Sequence, residues 1–96
     1  MILHILTTAP LSDAARQAEQ AINPGDALLL IEEAVSAALQ PDLDCWKQTD
    51  YPVFLLEEDL VARGFANAAS HHRLATVDIE GFVQLTEQYE QSITWY

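Results

Sequence analysis

The chain has one cysteine, Cys45, and its thiol is the side chain best suited to covalent chemistry. A deprotonated thiol is a nucleophile and can accept persulfide sulfur. Lys47 would favour the thiolate, whereas Asp42, Asp44 and Asp50 in the same segment oppose it. Cysteines most often behave as small hydrophobic residues. We therefore favour a structural role for Cys45 and keep sulfur carriage as the alternative.

Three consecutive acids, Glu57, Glu58 and Asp59, follow a short apolar run that ends at Leu56. Their carboxylates could bind a hard divalent cation, but acids in the first turn of a helix also stabilise its positive end. We favour the second role. Open α/β sheets place their chemistry where a strand ends and a helix begins, and here that place holds Leu56, which is not a nucleophile.

The other polar candidates lack the spacing that a site requires. His71 and His72 are adjacent, so their side chains diverge, and no companion residue has zinc-ligand spacing. Gly25 and Asp26 are not part of a phosphate-binding loop, because such a loop needs several glycines and the whole chain has three. We predict no catalytic residue, no metal and no cofactor.

Three aromatic residues, Trp46, Trp95 and Tyr96, stand apart from the apolar runs. They could line a ligand pocket, which would make the protein a small-molecule binding module. Tryptophan and tyrosine are also typical anchors of protein interfaces, and we predict that these three are interface residues.

The composition excludes some partners. The net charge is −11, with 15 acidic residues against four lysines and arginines. Nucleic-acid affinity comes mainly from clustered basic residues, so we expect no direct nucleic-acid binding. An acidic surface favours encounters with basic partners instead.

The sequence contains no apolar stretch near the roughly 20 residues of a membrane span. The apolar start at residues 1–6 lacks the basic and hydrophobic regions of a signal peptide. A single cysteine is typical of a reducing compartment. We expect a cytoplasmic protein with no membrane contact.

Four apolar runs predict β-strands at residues 2–6, 26–31, 53–56 and 74–77. The second run is continuous rather than alternating, as in a strand covered on both faces of a parallel sheet. Helical spacing predicts helices at residues 8–22, 32–39, 57–63 and 79–89, with residues 41–50 and 67–73 as connections.

The first helix is expected to begin after a cap at Thr8 or Ser12. Its predicted apolar face consists of Leu11, Ala15, Ala18 and Ile22, and that of the last helix of Ile79, Phe82, Val83, Thr86 and Tyr89. The tail at residues 92–96 is β-prone and aromatic, so we expect it to pair at a sheet edge or lie in an interface, with Ile93, Trp95 and Tyr96 buried.

Strands that alternate with helices indicate parallel βαβ units. We predict one domain over residues 1–96, a small three-layer α/β/α fold with a mostly parallel, Rossmann-like sheet.

Several segments, in their order and spacing, resemble the DsrH/TusB family, which has the DsrE-like fold. The most distinctive is Val-Phe-Leu-Leu-Glu-Glu-Asp-Leu-Val-Ala-Arg-Gly at residues 53–64. The others are residues 2–6, 25–30, 35–38, 77–78 and 82–86 and a tryptophan at the end, Trp95. Ala34 departs from the pattern, since family members commonly have glycine there.

The resemblance implies one of three homologous subunits of a heterohexamer, with TusC-like and TusD-like sisters. Such a complex accepts persulfide sulfur from TusA and passes it toward TusE for 2-thiolation of the wobble uridine in transfer RNA. The sister subunit's working cysteine would correspond to about Leu56 here, which implies a non-catalytic subunit.

The alternative within the family is a DsrH-type subunit of a dissimilatory sulfur-oxidation complex. DsrH proteins of sulfur oxidisers often have a cysteine in the first helix, whereas residues 11–22 have none. We therefore favour the TusB type.

Overall fold

The computed structural model describes all 96 residues and contains one five-stranded sheet. All neighbouring strands are parallel, in the order β4-β3-β2-β1-β5. The strands are β1 Ile2–Leu6, β2 Ala27–Leu30, β3 Val53–Leu56, β4 Thr76–Val77 and β5 Gln91–Trp95. The predicted α/β fold with a parallel sheet is confirmed.

Helical segments connect every pair of successive strands. They are α1 Asp13–Ala21, a 3₁₀ segment Glu32–Leu39, α2 Asp44–Lys47, α3 Glu57–Ala62, α4 Ala66–His71 and α5 Ile79–Gln88. None of them combines the length and the apolar character that crossing a lipid bilayer requires.

The two faces of the sheet are covered unequally. On one face, α1, the 3₁₀ segment, α2, α3 and α4 pack on the strands and enclose a core of 14 buried residues. On the other face, the buried core has five residues, and α5 supplies its only helical member, Leu85. The central strands are apolar on both sides because they are covered on both sides, as the continuous run at β2 predicted.

Three local predictions were wrong. The connection predicted at residues 67–73 is mostly helical, because Ala66–His71 form α4. The N-cap of α4 is Phe65, whose side chain makes no capping hydrogen bond, so the sequence gives no sign of where this helix starts. β4 has two residues instead of four. The connection predicted at residues 41–50 contains α2. The helix predicted at residues 32–39 is present and is a 3₁₀ helix.

The predicted apolar faces of two helices also need correction. Leu11 lies before α1 and is 67% exposed, because Ser12 is the cap and the helix begins at Asp13. In α5, Ile79 and Val83 are half exposed, and the buried residue is Leu85. A single helix over one face leaves the flanks of its apolar side in contact with water.

The C-terminal tail forms β5, which pairs with β1 at the edge of the sheet from Ile2↔Gln91 to Leu6↔Trp95. This confirms the expected edge pairing. The expected burial is wrong for Tyr96, which is 85% exposed, and for Ile93, which is 37% exposed, while Trp95 is partly buried against the larger core.

A buried polar chain joins β5, β1 and the start of β2. The indole Nε1 of Trp95 donates to Nδ1 of His4 at 3.1 Å, and Nε2 of His4 lies 3.1 Å from Oδ2 of Asp26. Because Nδ1 accepts, the proton of a neutral His4 is on Nε2, which donates to the carboxylate. The His4 and Trp95 rings are also stacked, with centroids 6.1 Å apart.

Asp26, at one end of this chain of hydrogen bonds, makes more side-chain hydrogen bonds than its other members. Its carboxylate also accepts from the backbone N–H of Ile2 at 2.9 Å and of Asn23 at 3.0 Å. Burial by itself would raise the pKa of Asp26, but the hydrogen bonds from Asn23, Ile2 and His4 outweigh it and lower the pKa below 3.8.

Replacing Asp26 by asparagine should lower the free energy of unfolding by about 2–3 kcal/mol, because the amide cannot accept all three hydrogen bonds of the carboxylate. Urea denaturation at pH 7 measures this loss, and Asp50→Asn, at an exposed position, should change stability by less than about 0.5 kcal/mol.

The same pair of variants has a predicted pH dependence. A lowered folded-state pKa stabilises the protein above the ordinary value of 3.8, and this contribution is lost as the pH falls through the folded-state pKa. The stability difference between wild type and Asp26→Asn should therefore narrow below pH 3.8. A constant difference down to pH 2.5 would show that the carboxylate charge is not the stabilising feature.

Candidate functional site

The carboxyl end of β3 is where this fold would place a reactive group. β3 ends at Leu56, whose backbone caps α3 without a side-chain hydrogen bond, and α3 begins at the next residue, Glu57. The Leu56 side chain is buried, with 6% exposure. The strand thus delivers an apolar, unreactive side chain to the start of a helix.

The three acids that follow have different surroundings. Glu57 and Glu58 are exposed, whereas Asp59 is partly buried and accepts a hydrogen bond from the backbone N–H of Glu32 at 2.7 Å. Glu32 is the first residue of the 3₁₀ segment and has a φ of +51°, in the left-handed region. Asp59 therefore holds the strained backbone at the end of β2 against α3.

Polar side chains at two further strand ends also bond to nearby backbone groups. After β1, the Thr7 hydroxyl donates to the carbonyl oxygen of Trp95 at 3.0 Å. After β4, Asp78 caps α5 by accepting from the N–H of Gly81 at 2.7 Å. The carboxyl edge of the sheet is thus built from caps and turns, with no nucleophile beside a base.

Cys45 lies elsewhere, in α2. It contributes to the larger core, and beside Tyr51 and Val53 it lines a shallow pocket at the amino end of β3, the opposite end of that strand from Leu56. Lys47 is exposed and forms no salt bridge. The structure does not bring the thiol together with the strand end.

The electrostatic surroundings of Cys45 suppress its reactivity. Burial raises the pKa of the thiol to about 11, and the negative charges of Glu19 and Asp44 add to this effect. Since the thiolate is the reactive form, Cys45 at neutral pH is almost entirely the unreactive thiol.

The remaining predicted residues are dispersed over the molecule. Trp46 is partly buried, and its Nε1 donates to the carbonyl oxygen of Ala37 at 3.0 Å. Tyr96 extends from the end of β5 into solvent. His71 and His72 are exposed, and their rings are in edge-on contact with centroids 5.0 Å apart, so the expectation that these side chains diverge is wrong. The chain nowhere groups three His, Cys, Asp or Glu side chains that could hold a metal ion.

Sequence reasoning missed His4 and the buried role of Asp26. The signal was present, because His4 is the only polar residue within the apolar strand Ile2–Leu6, and Asp26 immediately precedes the apolar strand β2. Polar residues at such positions are expected to be hydrogen-bonded when buried. Their contacts fix strands and leave no nitrogen of His4 free for chemistry.

Comparisons with known proteins agree on one family. The family model described as DsrH like protein matches residues 8–92. The chain is 32% identical to Protein TusB of Escherichia coli O81 (strain ED1a) over 97 aligned residues, which cover 98% of this chain and all of that protein. Protein TusB of Shigella boydii serotype 18 gives the same identity and coverage.

A solved structure supports the fold. Protein Tm0979 from Thermotoga maritima, determined by solution NMR, superposes with a TM-score of 0.69. The superposition covers 94% of this chain and 95% of that one, at 21% sequence identity.

The raised pKa of Cys45 predicts slow alkylation of the native protein. The difference between an ordinary value of 9.0 and about 11 corresponds to a thiolate fraction about a hundredfold lower at pH 8. Iodoacetamide labelling followed by mass spectrometry should be at least that much slower in the folded protein than in urea. Equal rates would contradict the burial of this thiol.

Proposed function

The chain belongs to the DsrH/TusB family, and from this membership we propose that it is a non-catalytic subunit of a sulfur-relay complex. The complex passes persulfide sulfur toward 2-thiolation of the wobble uridine in transfer RNA. Within it, this subunit supports homologous sisters that carry the reactive cysteine.

The observation that carries the proposal is the side chain at the end of β3. The family resemblance implies that a catalytic sister has its cysteine near this position, and here the position holds buried Leu56. A leucine side chain has no atom that can form a persulfide. Because the neighbouring polar groups bond to backbone, a thiol from elsewhere in this chain has no prepared place beside it.

The alternative, in which Cys45 carries the sulfur, is opposed by the same structure. Sulfur transfer between proteins requires an accessible thiolate, and Cys45 is 8% exposed with a raised pKa. Its position in the larger core favours a packing role.

Two features favour tRNA thiolation over dissimilatory sulfur oxidation. The relatives named TusB align with 98% of this chain. Helix α1 contains no cysteine. The DsrH proteins of sulfur oxidisers, by contrast, often have a cysteine in their first helix. With a net charge of −11, this subunit would leave RNA contacts to other proteins of the pathway.

The partners in this proposal are TusC-like and TusD-like sisters in a heterohexamer, with TusA-like and TusE-like proteins as sulfur donor and acceptor, in the cytoplasm. The exposed apolar residues of the α5 side are suitable for contacts with sisters, since Ile79 and Val83 are half exposed. Tyr96, with the partly buried Trp95 and Trp46, remains our proposed set of aromatic interface residues.

The isolated protein should not accept sulfur from a persulfidated donor, because Leu56 cannot react and Cys45 is an inert thiol. Intact-protein mass spectrometry measures this, with a cysteine-bearing sister subunit as the positive control. A stoichiometric gain of one sulfur atom on Cys45 would overturn the non-catalytic role.

Deleting the gene should lower 2-thiouridine in transfer RNA, since the relay complex would lose one of its subunits. Thionucleoside analysis by liquid chromatography and mass spectrometry tests this. Complementation with Cys45→Ser should restore thiolation if the cysteine only packs in the core. Normal thiolation in the deletion strain would favour the sulfur-oxidation role instead.

A further inference from the structure

A cavity of about 320 Å³ opens between α1 and residues 42–45. This volume is at the lower end of the range for ligand pockets in proteins. Its apolar lining comes from β1, α1, β2 and the segment before β3, and includes Leu6, Ala15, Ala18, Leu28, Leu30 and Cys45.

Apolar side chains also line the mouth of this cavity. Leu11, which sequence analysis assigned to the core, contributes to the lining and is 67% exposed. Pro10 and Leu43 also line it and are partly buried. A large exposed apolar side chain beside an apolar cavity indicates a surface that another molecule covers.

The charges around the mouth are negative. Glu19, Asp42 and Asp44 line the cavity and are exposed. Arg16 also lines it, but its guanidinium is paired with Asp13. Glu19 lies close enough to Cys45, which also lines the cavity, for its charge to add to the effect of burial in raising the pKa of that thiol.

We propose that this cavity, together with Leu11 at its mouth, is a docking site for a basic amphipathic segment of another protein. One apolar side chain of the partner enters the cavity, and lysines or arginines beside it contact Glu19, Asp42 and Asp44. This proposal does not depend on the sulfur-relay role, because it rests on the shape and charge of this surface alone.

A protein segment fits the surface better than a small cation does. The three carboxylates are on two separate parts of the chain, α1 and residues 42–44, and all are exposed. Leu11 lines the cavity and is still 67% exposed, so it can contact a partner that extends beyond the cavity. A small inorganic cation would occupy only a little of the 320 Å³ and would give Leu11 no apolar contact.

Binding can be measured with a synthetic amphipathic helical peptide that has leucine on one face and lysine on the other. Two control peptides replace the leucines by serine or the lysines by glutamate. In ¹H–¹⁵N NMR titrations of the whole protein, the leucine–lysine peptide should shift amide signals of α1 and residues 42–45, and both controls should bind at least tenfold more weakly.

Variants of exposed residues locate the site without disturbing the core. Glu19→Gln, Asp42→Asn and Asp44→Asn should each weaken binding about two- to fivefold, as for exposed charge pairs. Leu11→Ala should weaken it at least threefold, because apolar contact is lost. Glu80→Gln, an exposed charge on α5 over the opposite face of the sheet, is the matched control and should leave binding unchanged.

Four outcomes would overturn the proposal. They are no binding of the leucine–lysine peptide at millimolar concentration, equal binding of the serine control, equal weakening by Glu80→Gln, and binding of hexylammonium in the cavity as tightly as the peptide. The second and third would show general charge attraction, and the fourth would show a small-cation site.

Discussion

The buried chain of hydrogen bonds from Asp26 through His4 to Trp95 fixes the arrangement of the sheet. It links β5 and β1 to the start of β2, and its members are far apart in sequence, since His4 and Trp95 are separated by 91 positions. Burying a carboxylate is unfavourable unless its oxygens are hydrogen-bonded, and Asp26 accepts from His4, Ile2 and Asn23. Any slip of β1 against β2 would leave these groups unpaired, so this hydrogen-bonded chain specifies one register of β1 against β2.

The rest of the fold follows from how each face of that sheet is covered. One face carries five helical segments and the larger core, and the other is covered by α5. The polar groups at the carboxyl edge cap helices and stabilise turns. At this edge, β3 ends in the apolar side chain of Leu56.

Sequence patterns predicted the strands where burial alone determines them. The continuous apolar run of β2 and the run that ends at Leu56 gave the correct elements, and Leu56 is at the strand end where it was expected. The patterns failed where tertiary contacts decide. The left-handed backbone of Glu32 depends on Asp59, 27 positions away, and α4 starts without a capping side chain. Helical periodicity also assumes a fully covered face, so it assigned Ile79 and Val83 to a core that α5 only partly forms.

At the candidate site, the sequence predicts which residue ends β3 but does not predict the contacts between side chains. The type of residue at the end of β3 can be read directly, whereas the pairing of His4 with Asp26 requires the register of two strands. Similarly, the exposure of Leu11 depends on which of two possible caps begins α1, and Ser12 does so by accepting from the N–H of Ala15.

The position of β5 in the sheet affects when the sheet can be completed during folding. β1 is the first strand to be synthesised, and one of its two neighbours is the last. Until β5 has been synthesised, the side of β1 that will pair with it presents free backbone hydrogen-bonding groups, which can pair with other chains. Partner strands this distant in sequence also make closure of the sheet slow. The sheet is therefore completed only after β5 has been synthesised, and deleting β5 would leave β1 with a permanently open edge.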